Sequence, residues 1–185
     1  MDISIIYYLA TGVLAGLLAG LFGIGGGLII VPALIYIFTT QNVPEAALTH
    51  ICIGTSLATI IITSISSLKT HNSKGAVNWS VWKRMAPGLV IGSLIGAGVA
   101  SVIDGKPLQA VIGLGAFLIG LKMLFMKSKT LNENDLTKLP SPLGQTGAGG
   151  FIGMVSAIFG IGGGTLTVPI LSHYGLKIQH AVGTS

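Results

Sequence analysis

Long apolar runs separated by short polar breaks dominate the chain. Residues 3–38 are almost wholly apolar. One straight crossing of a bilayer takes about 20 residues. This run is too long for one straight helix, and Gly23-Ile24-Gly25-Gly26-Gly27 interrupts it. Residues 39–45 read as a turn, and 46–68 form a second apolar segment. A basic loop over 69–84 holds His71, Asn72, Gly75, Asn78, Trp79 and Trp82. A third segment covers 85–103, Asp104-Gly105-Lys106-Pro107 makes a tight turn, and a fourth segment covers 108–126. After the polar stretch 127–142, residues 143–175 repeat the glycine-broken pattern of the start. The pattern predicts an all-α fold: a polytopic transmembrane helical bundle with glycine-broken helices or re-entrant hairpins.

The duplication is specific. Phe22-Gly23-Ile24-Gly25-Gly26-Gly27 recurs as Phe159-Gly160-Ile161-Gly162-Gly163-Gly164, an offset of 137. At the same offset Gly12 and Gly16 meet Gly149 and Gly153, and Val31-Pro32 meets Val168-Pro169. Further on, Gly54-Thr55-Ser56 recurs as Gly183-Thr184-Ser185. Internal repeats with broken helices at matching places are characteristic of secondary transporters. The expected organisation is a first transmembrane repeat over 1–126, a cytoplasmic linker over 127–142 and the start of a second repeat over 143–185. The second repeat is expected to be incomplete, because the first continues well past its own Gly-Thr-Ser triplet.

Composition sharpens the picture. Apolar residues make up 51% and charged residues 8%, against about 25% charged in a soluble domain. The net charge of +5 is clustered beside apolar runs. Lys69, Lys74, Lys83 and Arg84 flank one, and Lys122, Lys127, Lys129 and Lys138 another. That distribution suits cytoplasmic loops under the positive-inside rule and speaks against nucleic acid. A multi-pass protein of the plasma membrane follows, with the lipid bilayer as a partner and glycine faces compatible with a homo-oligomer. If 69–84 and 127–142 share the cytoplasmic side, segment 3–38 either crosses once, making the repeats parallel, or forms a hairpin, making them inverted. The absence of basic residues before Ile3 leans to the hairpin.

Three features bear on chemistry. Adjacent glycines cannot hold a stable mid-helix, and unwound backbone in a membrane is tolerated where it lines a cavity or lies inside protein. Each helix then restarts, at Leu28 and at Thr165, with free N–H groups and a positive dipole end. Together these make a cradle for an anion; the competing reading is close helix packing. Second, Cys52, Ser56, Thr59, Thr63 and Ser66 fall on one face of their helix. Their hydroxyls either line an anion path or bond their own helix carbonyls. Third, all five acids, Asp2, Glu45, Asp104, Glu133 and Asp135, sit at segment ends or in loops, which disfavours a cation carrier. His50, near the outer end of its helix, is a candidate for a coupling role. No catalytic arrangement, metal-ligand spacing or cofactor motif appears, so neither an enzyme nor a metal or cofactor is expected.

Phe-Gly-Ile-Gly-Gly-Gly, Val-Pro, Gly-Thr-Ser and the basic loop ending Lys74-Gly75-Ala76-Val77-Asn78-Trp79 together resemble the TauE/SafE sulfite exporter family. The resemblance covers the whole chain in order. It implies a permease for sulfite, sulfonates or related organic or sulfur-containing anions. It also implies two related halves of about four helices each. Carried over, the implied substrate positions are Gly23, Gly25, Gly26, Gly27, Gly54, Thr55 and Ser56, with Gly160, Gly162, Gly163, Gly164, Gly183, Thr184 and Ser185. Thr165 joins them as the restart residue, and Pro32 and Pro169 support the breaks. The alternative function is a non-transporting membrane subunit that assembles through its glycine faces.

Overall fold

The computed structural model describes residues 9–17, 26–125 and 140–185. Among them there are eight helices and no strand: α1 (residues 9–17), α2 (Gly27–Thr40), α3 (Glu45–Ser73), α4 (Trp79–Val102), α5 (Gly105–Phe125), α6 (Pro142–Phe159), α7 (Gly164–His173) and α8 (Ile178–Thr184). α3 and α4 are each long and apolar enough to cross a membrane, with a mean hydropathy of 1.8 over their most apolar stretch. Large apolar side chains point outward, such as Ile62 at 73% and Leu94 at 70% exposure. In a bilayer such faces meet lipid and carry no penalty. The protein is an all-α helical membrane bundle.

The basic loop expected over 69–84 is much shorter. α3 runs on to Ser73 and α4 begins at Trp79, leaving only residues 74–78 outside a helix. The 29 residues of α3 span ~43 Å at 1.5 Å per residue, against about 30 Å of hydrocarbon core. Apolar composition marks where lipid ends. The helix continues because its backbone bonds itself in water as well. Asn78 then starts α4 as an N-cap, its side chain accepting from the Val81 N–H at 3.2 Å.

Two ends of the bundle can be told apart. At one end α3 and α5 both start and α4 finishes. There the Thr49 hydroxyl donates to the Gly105 carbonyl at 3.0 Å, His50 Nε2 lies 3.0 Å from the Ala100 carbonyl oxygen, and Lys106 pairs with Glu45 at 2.7 Å. At the other end α3 finishes, α4 starts, and Lys69, Lys74, Lys83 and Arg84 gather. This is the basic end.

α4 and α6 make the most extensive helix contact. Gly88-x-x-x-Gly92-x-x-x-Gly96 lies against Thr146, Gly150 and Met154, while Gly149 and Gly153 lie against the backbones of Met85 and Leu89. Positions rise together along both helices, so the two run parallel, and α6 starts at the basic end. A β-carbon on Gly92 would come within 2.8 Å of the Gly150 Cα. Backbone meets backbone here, as small-residue stripes in membranes allow.

The glycine breaks decide the topology. Gly160 caps α6 in the left-handed conformation at φ 65°, which glycine adopts without strain. The chain then turns back, and Leu171 and Leu176 pack with Val81, Met85 and Ile152 near the basic end. α6 and α7 therefore form a hairpin that enters and leaves at the basic end, with its tip at the glycines. α2 starts beside that tip, Gly27 lying on Gly160 and Ile161, and runs to the opposite end. It turns there into α3 through Asn42 at φ 58° and the Val43 N–H donating to the Phe38 carbonyl. α2 and α7 leave the centre in opposite directions. Of the two arrangements open from sequence, the repeats are inverted.

Two outcomes follow from this packing. Gly92→Leu is expected to cost about 1–3 kcal/mol through overpacking, read as a lowered unfolding midpoint in detergent. Gly98→Leu, on the same helix with nothing within 4 Å of its β-position, should leave that midpoint unchanged. Ser73→Cys and Gln41→Cys should label from opposite sides of the membrane with an impermeant thiol reagent; labelling of both from one side contradicts the two-ended arrangement.

Candidate functional site

The two glycine breaks meet at one central node. Gly27, the first residue of α2, has no room for a β-carbon, which would come 2.7 Å from the Ile161 Cα. Gly160 is enclosed by α2 and α3, its β-position 3.1 Å from Val31 Cγ2 and 3.2 Å from the Ile53 Cα. The fully buried Ser56 donates its hydroxyl to the Gly160 carbonyl at 2.8 Å. That bond matters because the Gly160 carbonyl sits at a break, where the regular helix ladder no longer satisfies it. Ser56 thus joins the first repeat's Gly-Thr-Ser triplet to the second repeat's glycine tip. Val31, Cys52 and Ile53 seal the node with Leu34, Leu48, Leu108 and Ile112.

The remaining sequence-derived positions distribute around this node. Gly26 precedes α2, its carbonyl accepting from Ile29 and Ile30 at 3.1 and 2.9 Å. Gly163 does the same for α7, accepting from Leu166 and Thr167 at 3.2 and 2.9 Å. The two restarts are built alike at equivalent positions. Gly162 faces Ile60 of α3, and Gly164 faces Ser185. Thr165 is buried and Thr55 half-buried, whereas Gly54 is exposed with an open β-position. Pro32 and Pro169 lie inside α2 and α7, five residues after each restart glycine. Gly23 and Gly25 fall outside the described residues.

The second Gly-Thr-Ser triplet performs a task the sequence did not reveal. The Asn78 N–H donates to the Thr184 hydroxyl at 2.9 Å, His180 Nδ1 lies 3.1 Å from the Ala76 carbonyl oxygen, and Gly183 packs on Ala76. α8 therefore clamps the 74–78 turn at the basic end. The one available signal was the duplication itself, which set Gly183-Thr184-Ser185 apart without indicating their partners.

The hydroxyl stripe of α3 divides. Ser56 reaches across to the other repeat, but Thr59 donates to the Ser56 carbonyl at 2.7 Å and Thr63 to the Thr59 carbonyl at 3.1 Å. These hydroxyls satisfy their own helix. His50 ties α3 to the end of α4 through Ala100. Among the described residues no three His, Cys, Asp or Glu side chains gather where they could hold a metal.

Ser56→Ala would leave a buried carbonyl without its donor. The expected cost is about 1–3 kcal/mol, measured as a lowered unfolding midpoint relative to Thr63→Ala, whose exposed hydroxyl bonds only its own helix.

Comparison with known proteins matches this architecture to a family. A family model described as sulfite exporter TauE/SafE matches residues 8–185. The chain is 38% identical over 182 residues to a probable membrane transporter protein of Haemophilus influenzae, covering 98% of this chain and 67% of that relative. It is 32% identical to a probable membrane transporter protein of Methanocaldococcus jannaschii, covering 95% of this chain and 64% of the relative. It is 29% identical to the probable membrane transporter protein YunE of Bacillus subtilis, covering 91% and 67%. The chain spans about two thirds of the length of these relatives. No solved structure matches it significantly. With the family match running almost end to end, the chain belongs to the sulfite exporter TauE/SafE family of membrane transporters.

Proposed function

We propose that this protein serves secondary transport of small sulfur-containing or organic anions, such as sulfite or sulfonates, across the plasma membrane. The observation that carries the reading is the meeting of two inverted glycine breaks, Gly27 on Gly160 and Ile161, from which α2 and α7 depart in opposite directions. Both helices direct their N-terminal ends at the centre. Each such end carries roughly half a positive elementary charge, and glycine at Gly26, Gly163 and Gly164 lets a ligand approach the amides closely. The acids among the described residues, Glu45 and Asp104, lie at the end opposite the basic one. A centre with amide donors and no nearby carboxylate favours an anion over a cation.

In this reading the donors are the first amides of α2 and α7 with the Thr55 hydroxyl. Ser56 acts by holding the Gly160 carbonyl and so the shape of the tip. The scheme carries a first repeat over 1–126, a cytoplasmic linker over 127–142 and the start of a second repeat over 143–185, with 126–139 outside the described residues. The basic end, with Lys69, Lys74, Lys83 and Arg84, faces the cytoplasm by the positive-inside rule. Amide and hydroxyl recognition imposes less geometric selection than a bidentate guanidinium, so several small oxyanions share the site.

The test is flux in proteoliposomes against sulfite, sulfonates, carboxylates and small cations. Anion flux is expected, with none for the cations. Gly163→Val should abolish it while membrane insertion persists, because a side chain there fills the approach to the amides. Thr55→Val should weaken anion binding by ~1 kcal/mol, or several-fold. Cation flux, or unchanged anion flux in Gly163→Val, contradicts the proposal.

A further inference from the structure

The inverted repeat allows the two copies of the first hairpin arm to be compared position by position. α1 aligns with α6 at the offset of 137, and burial agrees wherever neither α4 nor a substitute for it is involved. Ala10 and Gly147 are exposed, Thr11 and Ala148 half-buried, Leu14 and Phe151 exposed, and Ala15 and Ile152 buried at 1% and 0%. Burial differs at the five remaining positions. In α6 these are Thr146, Gly149, Gly150, Gly153 and Met154, all covered to some degree and all against α4. In α1 they are Leu9, Gly12, Val13, Gly16 and Leu17, and all are exposed. Gly12 and Gly16 have nothing within 4 Å of their β-positions, whereas their counterparts Gly149 and Gly153 touch the Met85 and Leu89 backbones.

We infer that the face Leu9–Gly12–Val13–Gly16–Leu17 seats a membrane-spanning helix of the second repeat, the counterpart of α4. The same stripe already has such an occupant in its other copy, so the face is a helix-sized seat with a known fit. A small-residue stripe accepts a helix backbone at close range. A second copy of this chain does not supply the occupant, because the glycine face of its own α4 is filled by α6. The relatives of which this chain spans about two thirds have the length to supply it. Through this contact each repeat would clasp the other once, α6 on α4 and α1 on the counterpart.

The inference is tested by disulfide trapping in the full chain fused at its C-terminus to the part of the Haemophilus influenzae relative that follows the matched region. Cys52 and any fused cysteines are replaced by Ala, and a protease site is inserted after Glu133. Val13→Cys is combined with single cysteines along the fused helix that aligns with Trp79–Val102. After oxidation and cleavage, the fragments should stay joined for cysteines aligned with Gly88 and its helical neighbours, with a period of three to four residues. The control pair Ile91→Cys and Phe151→Cys, which line one groove between α4 and α6, reports intact packing. Trapping that joins two copies instead, or none beside a positive control, overturns the inference. As a second readout, Gly12→Leu with Gly16→Leu should lower the unfolding midpoint of the fusion and leave that of the 185-residue chain unchanged. Equal effects on both, or none on the fusion, would also overturn it.

Discussion

The rest of the structure depends on one buried hydrogen bond, from the Ser56 hydroxyl to the Gly160 carbonyl. A helix broken inside a membrane leaves carbonyl and amide groups that no water can satisfy, each costing several kcal/mol if left alone. The chain resolves the carbonyl side with a hydroxyl from the other repeat. That choice forces α3 to pass the tip of the α6–α7 hairpin and brings Gly27 onto Gly160. Once the node is formed, α2 and α7 have no freedom but to run outward to opposite ends.

A second constraint is mechanical. α4 and α6 touch backbone to backbone along three glycines on one side and three on the other. In lipid there is little hydrophobic gain from joining two apolar helices, so close van der Waals contact carries the association. Any motion of the hairpin must therefore carry α4 with it or break that seam. At the basic end α8 adds polar ties from Thr184 and His180 to the 74–78 turn. Polar ties of this sort, unlike the glycine seam, exchange readily with water, which places the more easily opened contact at that end.

In the function proposed above, recognition rests on partial charges. The fold presents helix starts to a common centre, and among the described residues Glu45, Asp104 and Lys106 lie at one end and Lys69, Lys74, Lys83 and Arg84 at the other; Glu45 and Lys106 pair in water at little gain. As proposed, such a site would recognise charge and size without committing to one oxyanion. This accords with family membership that names sulfite while leaving the substrate of each member to its own tests.

Several things were legible from sequence alone. Helical class, membrane residence, the positions of the apolar spans and the two glycine breaks all follow from local chemistry. Apolar run length measures the bilayer, and glycine triplets cannot sustain a helix. Helix ends were less legible: α3 and α4 reach to within five residues of each other because helical hydrogen bonds persist after the lipid ends. Partners were not legible at all. Ser56 and Thr59 share a helix face and a chemistry, yet one bonds the opposite repeat across 104 residues and the other its own helix. The sequence by itself pointed to breaks at Gly23–Gly27 and Gly160–Gly164, since backbone propensity is a property of neighbours. Whether those breaks point the same way or opposite ways was decided only by tertiary structure. Inversion depends on which distant surfaces can approach closely enough to satisfy the freed backbone, and no local pattern records that distance.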